Sequence, residues 1–359
     1  MDQIDLTGIA VDTTRPALVT GATGYVAGWM VKGLLGAGAT VHAAVRDPGN
    51  TAKVAHLTAL AEHAPGTLKL FRGDLGEPGS YAEAMAGCGV VFHTASPFVR
   101  HVEDPQRDLV DPAVGGTRDV LETASATHTV TRVVVTSSVA SLYTDAVECA
   151  AAPGGRLTED LWNTTASLDY EPYNYSKVLA EHEAWRIADA QEGWRLVVIN
   201  PSLVIGPSLQ RSPTSESFAI VRQLIGGQMR FGAPRVALGV VDVRDLARAH
   251  LAAGFLPDVK GRHIVSGHST NTLAMGQALR THFGSSLPLP RNALPKWLFK
   301  AVAPALGVSR RYVEGNVDHV FAADTSKSRD SLGMTYRPLG ASLVDMVSQM
   351  RERGVGADG

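Results

Sequence analysis

Cysteine is scarce: 359 residues contain only Cys88 and Cys149. Two such residues build no disulfide framework, and neither stands in a CxxC or Cys/His spacing that would hold zinc. Each reads as a small buried hydrophobe. An excess of either charge is also missing. Lys and Arg number 33 against 35 Asp and Glu, for a net charge of -2, so no basic surface is expected for nucleic acid or an anionic membrane. Short basic clusters such as Ser309-Arg310-Arg311 read as solvated helix ends. No window reaches the roughly 18 to 20 apolar residues of a membrane span. The N-terminal stretch MDQIDLTGIAVDTTRP has acids where a secretory signal would be basic, so it reads as a short surface arm and the chain as cytoplasmic. There is no GxSxG elbow, no HExxH pair, and no metal, flavin or lipid motif, which leaves hydrolase chemistry without a foothold. Internal repeats and low-complexity tracts are absent too.

What is present is a globular composition, 45% hydrophobic with 36 glycines and 19 prolines, long enough for two domains or one large α/β unit. The most informative stretch is Ala17 to Leu35, ALVTGATGYVAGWMVKGLL. It reads as a short strand (Ala17 to Val19), a glycine loop and an apolar-periodic helix. Gly21 permits a tight turn, and Gly24 lets backbone approach phosphate oxygens without a Cβ between. The helix then points its unpaired N–H groups and positive dipole end at the same anion. Glycine is common in loops, but the flanking strand and helix supply the context a pyrophosphate site needs.

The chain continues in the same rhythm. Thr40 to Val45 is a strand ending at Arg46-Asp47-Pro48, where such a fold meets the adenosine ribose. Arg46 offers a planar charged fork to a 2′-phosphate and Lys53 a second positive charge, which favours NADP(H). Asp47 keeps NAD open. After a strand at Leu68 to Phe71, Asp74 could accept from the adenine amino group or cap a helix beginning near Ser80. Val90 to His93 opens into Thr94-Ala95-Ser96-Pro97, small residues suited to backbone lying against a cofactor, and His93 reads as a satisfied core histidine. A helix over Pro112 to Ala124 and a strand over Val130 to Thr136 lead into Ser137-Ser138. The alternation implies an α/β fold with a doubly wound parallel (Rossmann) sheet.

Leu157 to Asp169 is a polar surface excursion. Pro172 suits the first position of a helix that runs through Ala190, and Arg195 to Ile199 is a further strand. Beyond it, glycines and prolines break residues 206 to 238 around a helix near Ser217 to Ile225. Val240 to Val243 leads into another helix, His263 to Ser266 returns as a last strand, and the rest from Thr272 is mostly helical. An NADP-binding domain is expected over 16–200, with 239–270 returning to it. A smaller, mostly helical substrate domain covers 201–238 and 271–359, and 1–15 form the arm. Phe218, Leu224, Met229, Phe231 and Leu238 point to a hydrophobic substrate, or to the small domain's own core.

Tyr173 and Lys177 lie four apart on one helix and share a face. Carbonyl reduction needs a proton for the nascent alkoxide as hydride arrives. A phenol near pKa 10 serves poorly at neutral pH unless a cation stabilises its phenolate, and Lys177 supplies one. Ser138, at a neighbouring strand end, would hold the substrate oxygen near the phenol. Each residue also has a plain reading, as interfacial aromatic, surface charge and helix cap. Their chain order downstream of a glycine loop gives the trio its meaning.

At this point the chain resembles the extended short-chain dehydrogenases/reductases of the NAD-dependent epimerase/dehydratase family, in the dihydroflavonol-reductase-like and carbonyl (aldehyde) reductase branch. The likeness runs from about Pro16 to about Arg351. TGATGYVAG, VRDP, GDL, TSS, YNYSKVLAEHEAW, NPSLVIGP, VDVRDLARAH and DTSKSRDSLG carry it. It implies Tyr173 as general acid/base, Lys177 as its partner and a ribose contact, Ser138 as carbonyl orienter with Ser137 as fallback, and Arg46 with Lys53 on the 2′-phosphate. The expected cofactor set is Gly21, Thr23, Gly24, Tyr25, Val26, Arg46, Lys53, Asp74, Leu75, Thr94, Ala95, Ser96, Thr136, Tyr173, Lys177, Pro201, Leu203 and Val204. One departure is Ala27, where the third loop position carries a methyl. The expectation is an NADPH-dependent reductase of an aldehyde or ketone, a monomer or homodimer acting on a small molecule. An NAD-dependent nucleotide-sugar epimerase or dehydratase and a non-catalytic dinucleotide-binding protein are the alternatives.

Overall fold

Strand alternation sets the architecture of the computed structural model, which describes residues 4–96, 102–211, 213 and 215–354. Pro97, the first three arm residues and the tail from 355 lie outside them. In β1 (Ala17–Thr20), Ala17 and Val19 face one apolar cluster while Leu18 faces another. The same split recurs in β4 (Val90–His93), β5 (Arg132–Thr136) and β6 (Arg195–Pro201), so both sheet faces are buried. With β2 (Thr40–Val45), β3 (Thr67–Arg72) and β9 (Gly261–Val265) they form a seven-stranded parallel sheet, ordered β3-β2-β1-β4-β5-β6-β9. The order reverses between β1 and β4, and at such a switch point the strands' carboxyl ends leave a crevice for a ligand.

On one face lie α1 (Tyr25–Gly36), α2 (Thr51–Ala61) and α8 (Val243–Phe255), contributing Trp29, Leu34, Leu57 and Leu246. On the other lie α3 (Ala82–Met85), α4 (Asp111–Ala126) and α6 (Pro172–Ala188), contributing Met85, Leu121 and Ile187. A π-helical turn over Gln106–Val110 precedes α4, and α5 (Val147–Ala151) follows β5. The helices α1 and α8 approach so closely that a Cβ on Gly33 would sit 2.7 Å from Leu251 Cδ1.

A second sheet, not foreseen from sequence, pairs β7 (Leu203–Ile205) and β10 (His268–Asn271) on either side of β8 (Ala237–Asp242). The strand around His263 is therefore not the last: β9 joins the large sheet, whereas β8 and β10 build the small one. Around it pack α7 (Glu216–Ile225), α9 (Thr272–Phe283) and α13 (Leu339–Glu352), with α10 (Lys296–Val302), α11 (Arg310–Asn316) and α12 (Ser326–Ser331) between the last two in sequence. Among the described residues no helix is long and apolar enough to cross a membrane.

One further expectation needs correction. The N-terminal arm is not merely on the surface: Ile4 and Ile9 are buried in the main core, and Arg248 donates to the Thr7 carbonyl. Arg310 and Arg311 are exposed in the first turn of α11, the solvated helix end expected, and the Arg311 guanidinium also stacks 3.6 Å from the Tyr170 ring centroid. Phe218 and Leu224 are buried in the small lobe's core with Met229 and Leu238 packed against it, while Phe231 is 84% exposed. Four of these five residues therefore build or cover the small lobe's core, and Phe231 lies at the surface. Cys88 and Cys149 are free and buried, as expected.

Burial also sets an acid response. Desolvation lowers His250 and His263 from the usual 6.5 to about 4, and His93 to about 3. These rings stay neutral in the folded chain below the pH at which unfolded histidines take up protons. Stability is then full above about 6.5 and falls as pH drops toward the folded values. Melting temperature should fall steeply between pH 6.5 and about 4. A melting temperature flat across that window, measured by calorimetry at constant ionic strength, would contradict it.

Candidate active site

The glycine loop is built for close approach. Gly21 has φ +62°, and a Cβ there would lie 2.9 Å from the Ala95 Cα on the neighbouring strand end. The Gly24 N–H donates to the Gly21 carbonyl at 2.7 Å, and a Cβ on Gly24 would crowd that oxygen at 3.0 Å. No side chain caps α1, and its first turn carries no acid. This end of α1 therefore suits an anion, and the cradle fits a dinucleotide pyrophosphate. Ala27, the departure at the third loop position, is buried and accommodated.

A clasp closes the loop from the side. Thr20 Oγ1 accepts the N–H groups of Thr94 and Ala95, both at 3.1 Å, so its own proton goes to His93 Nδ1 at 3.0 Å. His93 can accept there because burial, with Lys177's charge adding to it, holds the ring neutral. The Thr94 hydroxyl returns a bond to the Thr20 carbonyl at 2.6 Å. His93 is thus the satisfied core histidine expected.

Not every expected contact keeps a free side chain. The Tyr25 hydroxyl donates to the Gly206 carbonyl at 2.6 Å and its ring meets Phe218 edge-on, so its backbone at the start of α1 is what faces the loop. The Thr136 hydroxyl bonds His250 Nε2 at 2.7 Å. Thr23 and Val26 are half-buried at the loop. Arg46 is exposed at the tip of β2, and Lys53 is exposed in the first turn of α2, whose N-cap Asn50 accepts its backbone N–H. Asp47 Oδ1 accepts the Gly49 N–H and so serves its own turn. Asp74 Oδ1 likewise accepts the Gly76 N–H; it does not cap a helix, because α3 begins only at Ala82 and has no side-chain cap. Leu75 is half-buried over Gly116, where a Cβ would sit 2.4 Å from Leu75 Cδ2. Pro201, Leu203 and Val204 lie where β6 passes into β7.

Tyr173 and Lys177 occupy the first turns of α6, which opens with Pro172 behind Glu171 in a left-handed conformation, φ +53°. A non-glycine residue there holds a sparsely populated geometry, and here it sets the start of the helix that carries both side chains. Lys177 Nζ lies 5.7 Å from the Tyr173 ring centroid and donates to Ser96 Oγ at 3.1 Å. Burial lowers Lys177 to about 8, with Glu181 opposing the shift. Tyr173 as a residue is 46% exposed, yet desolvation around the hydroxyl raises it to about 12, Glu216 adds to that, and Ser138 opposes it. The phenol is therefore held protonated, beside a lysine whose charge can be switched near neutrality. The Ser138 hydroxyl accepts the Ala140 N–H at 3.1 Å, leaving its proton free to donate. Ser137, the fallback, is buried and donates to Glu181 Oε2 at 2.5 Å, which removes it from the face that Tyr173 presents.

Sequence reasoning passed over Thr20, Glu181 and Asn200, which touch residues of this site, and Arg262, which pairs with Glu181. A Glu four residues beyond Lys177, on the same helix face, was the available signal.

The profile of the NAD dependent epimerase/dehydratase family matches residues 17–267. A cinnamoyl-CoA reductase of Medicago truncatula is 35% identical over 338 residues, 93% of this chain and 95% of the relative. An anthocyanidin reductase of Arabidopsis thaliana is 34% identical over 269 residues, 72% of this chain and 77% of the relative. Among solved structures, Gre2 of Candida albicans in complex with NADPH superposes with TM-score 0.75 at 27% identity, covering 94% of this chain and 99% of that one.

Proposed function

We propose, from the premise that this chain belongs to the NAD dependent epimerase/dehydratase family, that it is an NADPH-dependent reductase of aldehydes or ketones, reversible as an alcohol dehydrogenase. When bound, NADPH supplies the hydride that converts the carbonyl carbon to an alcohol carbon. Tyr173 gives its proton to the carbonyl oxygen, and Ser138 donates a hydrogen bond to that same oxygen and orients it. Lys177 stabilises the phenolate left on Tyr173 and would also hold a ribose hydroxyl of the bound cofactor. The uncapped α1 with Gly21 and Gly24 holds the pyrophosphate, and Arg46 with Lys53 holds the 2′-phosphate. Residues 16–200 and 239–270 carry the cofactor in this reading, 201–238 and 271–359 shape the substrate recess, and 1–15 are an arm docked on the cofactor lobe. The protein works in the cytoplasm as a monomer or homodimer.

The convergence of Tyr173, Lys177 and Ser138 beside the glycine loop carries this reading. The substrate proposed is a hydrophobic carbonyl compound, and an uncharged one, because the Glu216 carboxylate adds to the upward shift on Tyr173 and disfavours an anion there. NADPH oxidation followed at 340 nm against aromatic, aliphatic and anionic carbonyls tests it. Turnover of neutral carbonyls, with NADPH preferred over NADH by about tenfold or more, is expected. Tightly retained NAD with no net turnover would instead favour a nucleotide-sugar epimerase.

A further inference from the structure

Beneath the catalytic trio lies a buried ion pair. Glu181 on α6 is fully buried, and its carboxylate meets Arg262 Nε of β9 at 2.5 Å. Its other oxygen accepts from Ser137 Oγ at 2.5 Å and Asn200 Nδ2 at 2.9 Å. Arg262 is equally enclosed. It donates to the carbonyls of Glu159 (2.8 Å) and Leu161 and to Ser141 Oγ at 3.1 Å, and its guanidinium lies 3.9 Å from the Trp162 ring centroid.

These bonds converge on one peptide. The Ser138 carbonyl accepts from Ser141 Oγ at 2.7 Å, from the Ser141 N–H at 3.1 Å and from Asn200 Nδ2 at 3.3 Å. Both Ser141 and Asn200 are themselves held by the ion pair or its partners. Pairs of this kind are seldom worth much in net stability, because desolving two charges offsets their attraction. What such a pair does supply is geometry. It ties α6, which carries Tyr173 and Lys177, to the turn that carries Ser138.

We propose that Glu181, clamped by Arg262, is the positioning residue of this site. It fixes the Ser138 hydroxyl against the Tyr173 phenol and places a negative charge one helical turn from Lys177.

Among the described residues the charged and titratable groups around Lys177 are few. His93 of β4 is neutral, Tyr173 is protonated, and Glu181 acts on the lysine directly. Around Glu181 stand Arg262 and His182, a neighbour on α6 whose ring stacks on Trp162. The Glu159 carboxylate is turned away to the Ile264 N–H. Removing the Glu181 charge therefore leaves burial, and an unpaired Arg262, to lower Lys177's proton affinity.

The inference rests on the reductase reading, so its test has a readout that needs no turnover. In Glu181→Gln, competitive trace acetylation of Lys177 followed by mass spectrometry from pH 6 to 10 should show its titration about one pH unit lower. The alkaline limb of kcat should move down by the same amount, with KM for NADPH within about twofold. A purely structural role would lower melting temperature and kcat without moving either titration. If Glu181→Gln does not fold, the double variant with Arg262→Met removes the guanidinium that would be left without its carboxylate and should keep the lowered titration. A Lys177 titration unchanged from wild type in the folded variant overturns the proposal. Absence of carbonyl turnover in the wild type would count against the reductase reading and leave the acetylation result to decide this one.

Discussion

Tyr173→Phe should cut carbonyl turnover by about 10²- to 10⁴-fold while NADPH binding stays within about twofold. The substitution deletes one oxygen and keeps the ring of a residue that is already 46% exposed, so neither core packing nor the glycine loop is touched. Desolvation holds the phenol protonated, and Ser138 is the hydroxyl that faces it. Its loss leaves the carbonyl oxygen with a hydrogen-bond donor but no group able to surrender a proton. Single-turnover kinetics at 340 nm, paired with NADPH fluorescence titration, separate the two effects. Equal turnover by the variant would remove Tyr173 as the acid, whereas unchanged biological output with NADPH still bound would support a non-catalytic dinucleotide-binding protein. Loss of NADPH binding in step with turnover would mean the residue holds the cofactor rather than the reacting oxygen.

Arg46→Ala should raise the NADPH dissociation constant about 10- to 100-fold and leave that of NADH nearly unchanged. The argument is positional. Arg46 is the first residue beyond β2, exposed at the carboxyl edge of the sheet next to the switch point, where the adenosine end of a dinucleotide must lie. Asp47, which could have favoured NAD, has one carboxylate oxygen engaged by the Gly49 N–H. A phosphate met by a planar fork gains charge-assisted bonds that a ribose hydroxyl cannot return. The salt dependence of NADPH affinity should weaken in the variant as well, because one of the charges that draw the phosphate is gone. An equal loss for both cofactors would place Arg46 in the fold of the loop rather than on the phosphate.

Much of this was readable in the chain because the large sheet writes a strong pattern. Its central strands are buried on both faces and appear as short apolar runs between glycines and polar turns. The small sheet left no such trace: β7 has three residues and β10 reads His-Ser-Thr-Asn, too short and too polar for periodicity to speak. Ile4 and Ile9 were invisible for a related reason, as isolated apolar residues among acids whose burial depends on α1 and α8. In the site, positions were legible but directions were not. Tyr25 and Thr136 lie where expected, yet their hydroxyls are spent on Gly206 and His250. Ser137 and Ser138 are adjacent and chemically identical. Only the buried carboxylate of Glu181, 44 residues on, separates them.

The place of β9 bears on how the chain is made. β6 ends at Pro201, and the strand that covers its outer edge begins at Gly261, after the small lobe has been started. As the chain leaves the ribosome, the cofactor lobe waits with one row of backbone donors and acceptors unpaired, the kind of edge that recruits a neighbouring chain. Arg262, the partner of Glu181, arrives on that same late strand. The sheet is completed and the turn that carries Ser138 is clamped in a single event, so a chain stalled before β9 has every residue of the trio but lacks the Arg262 clamp on Glu181.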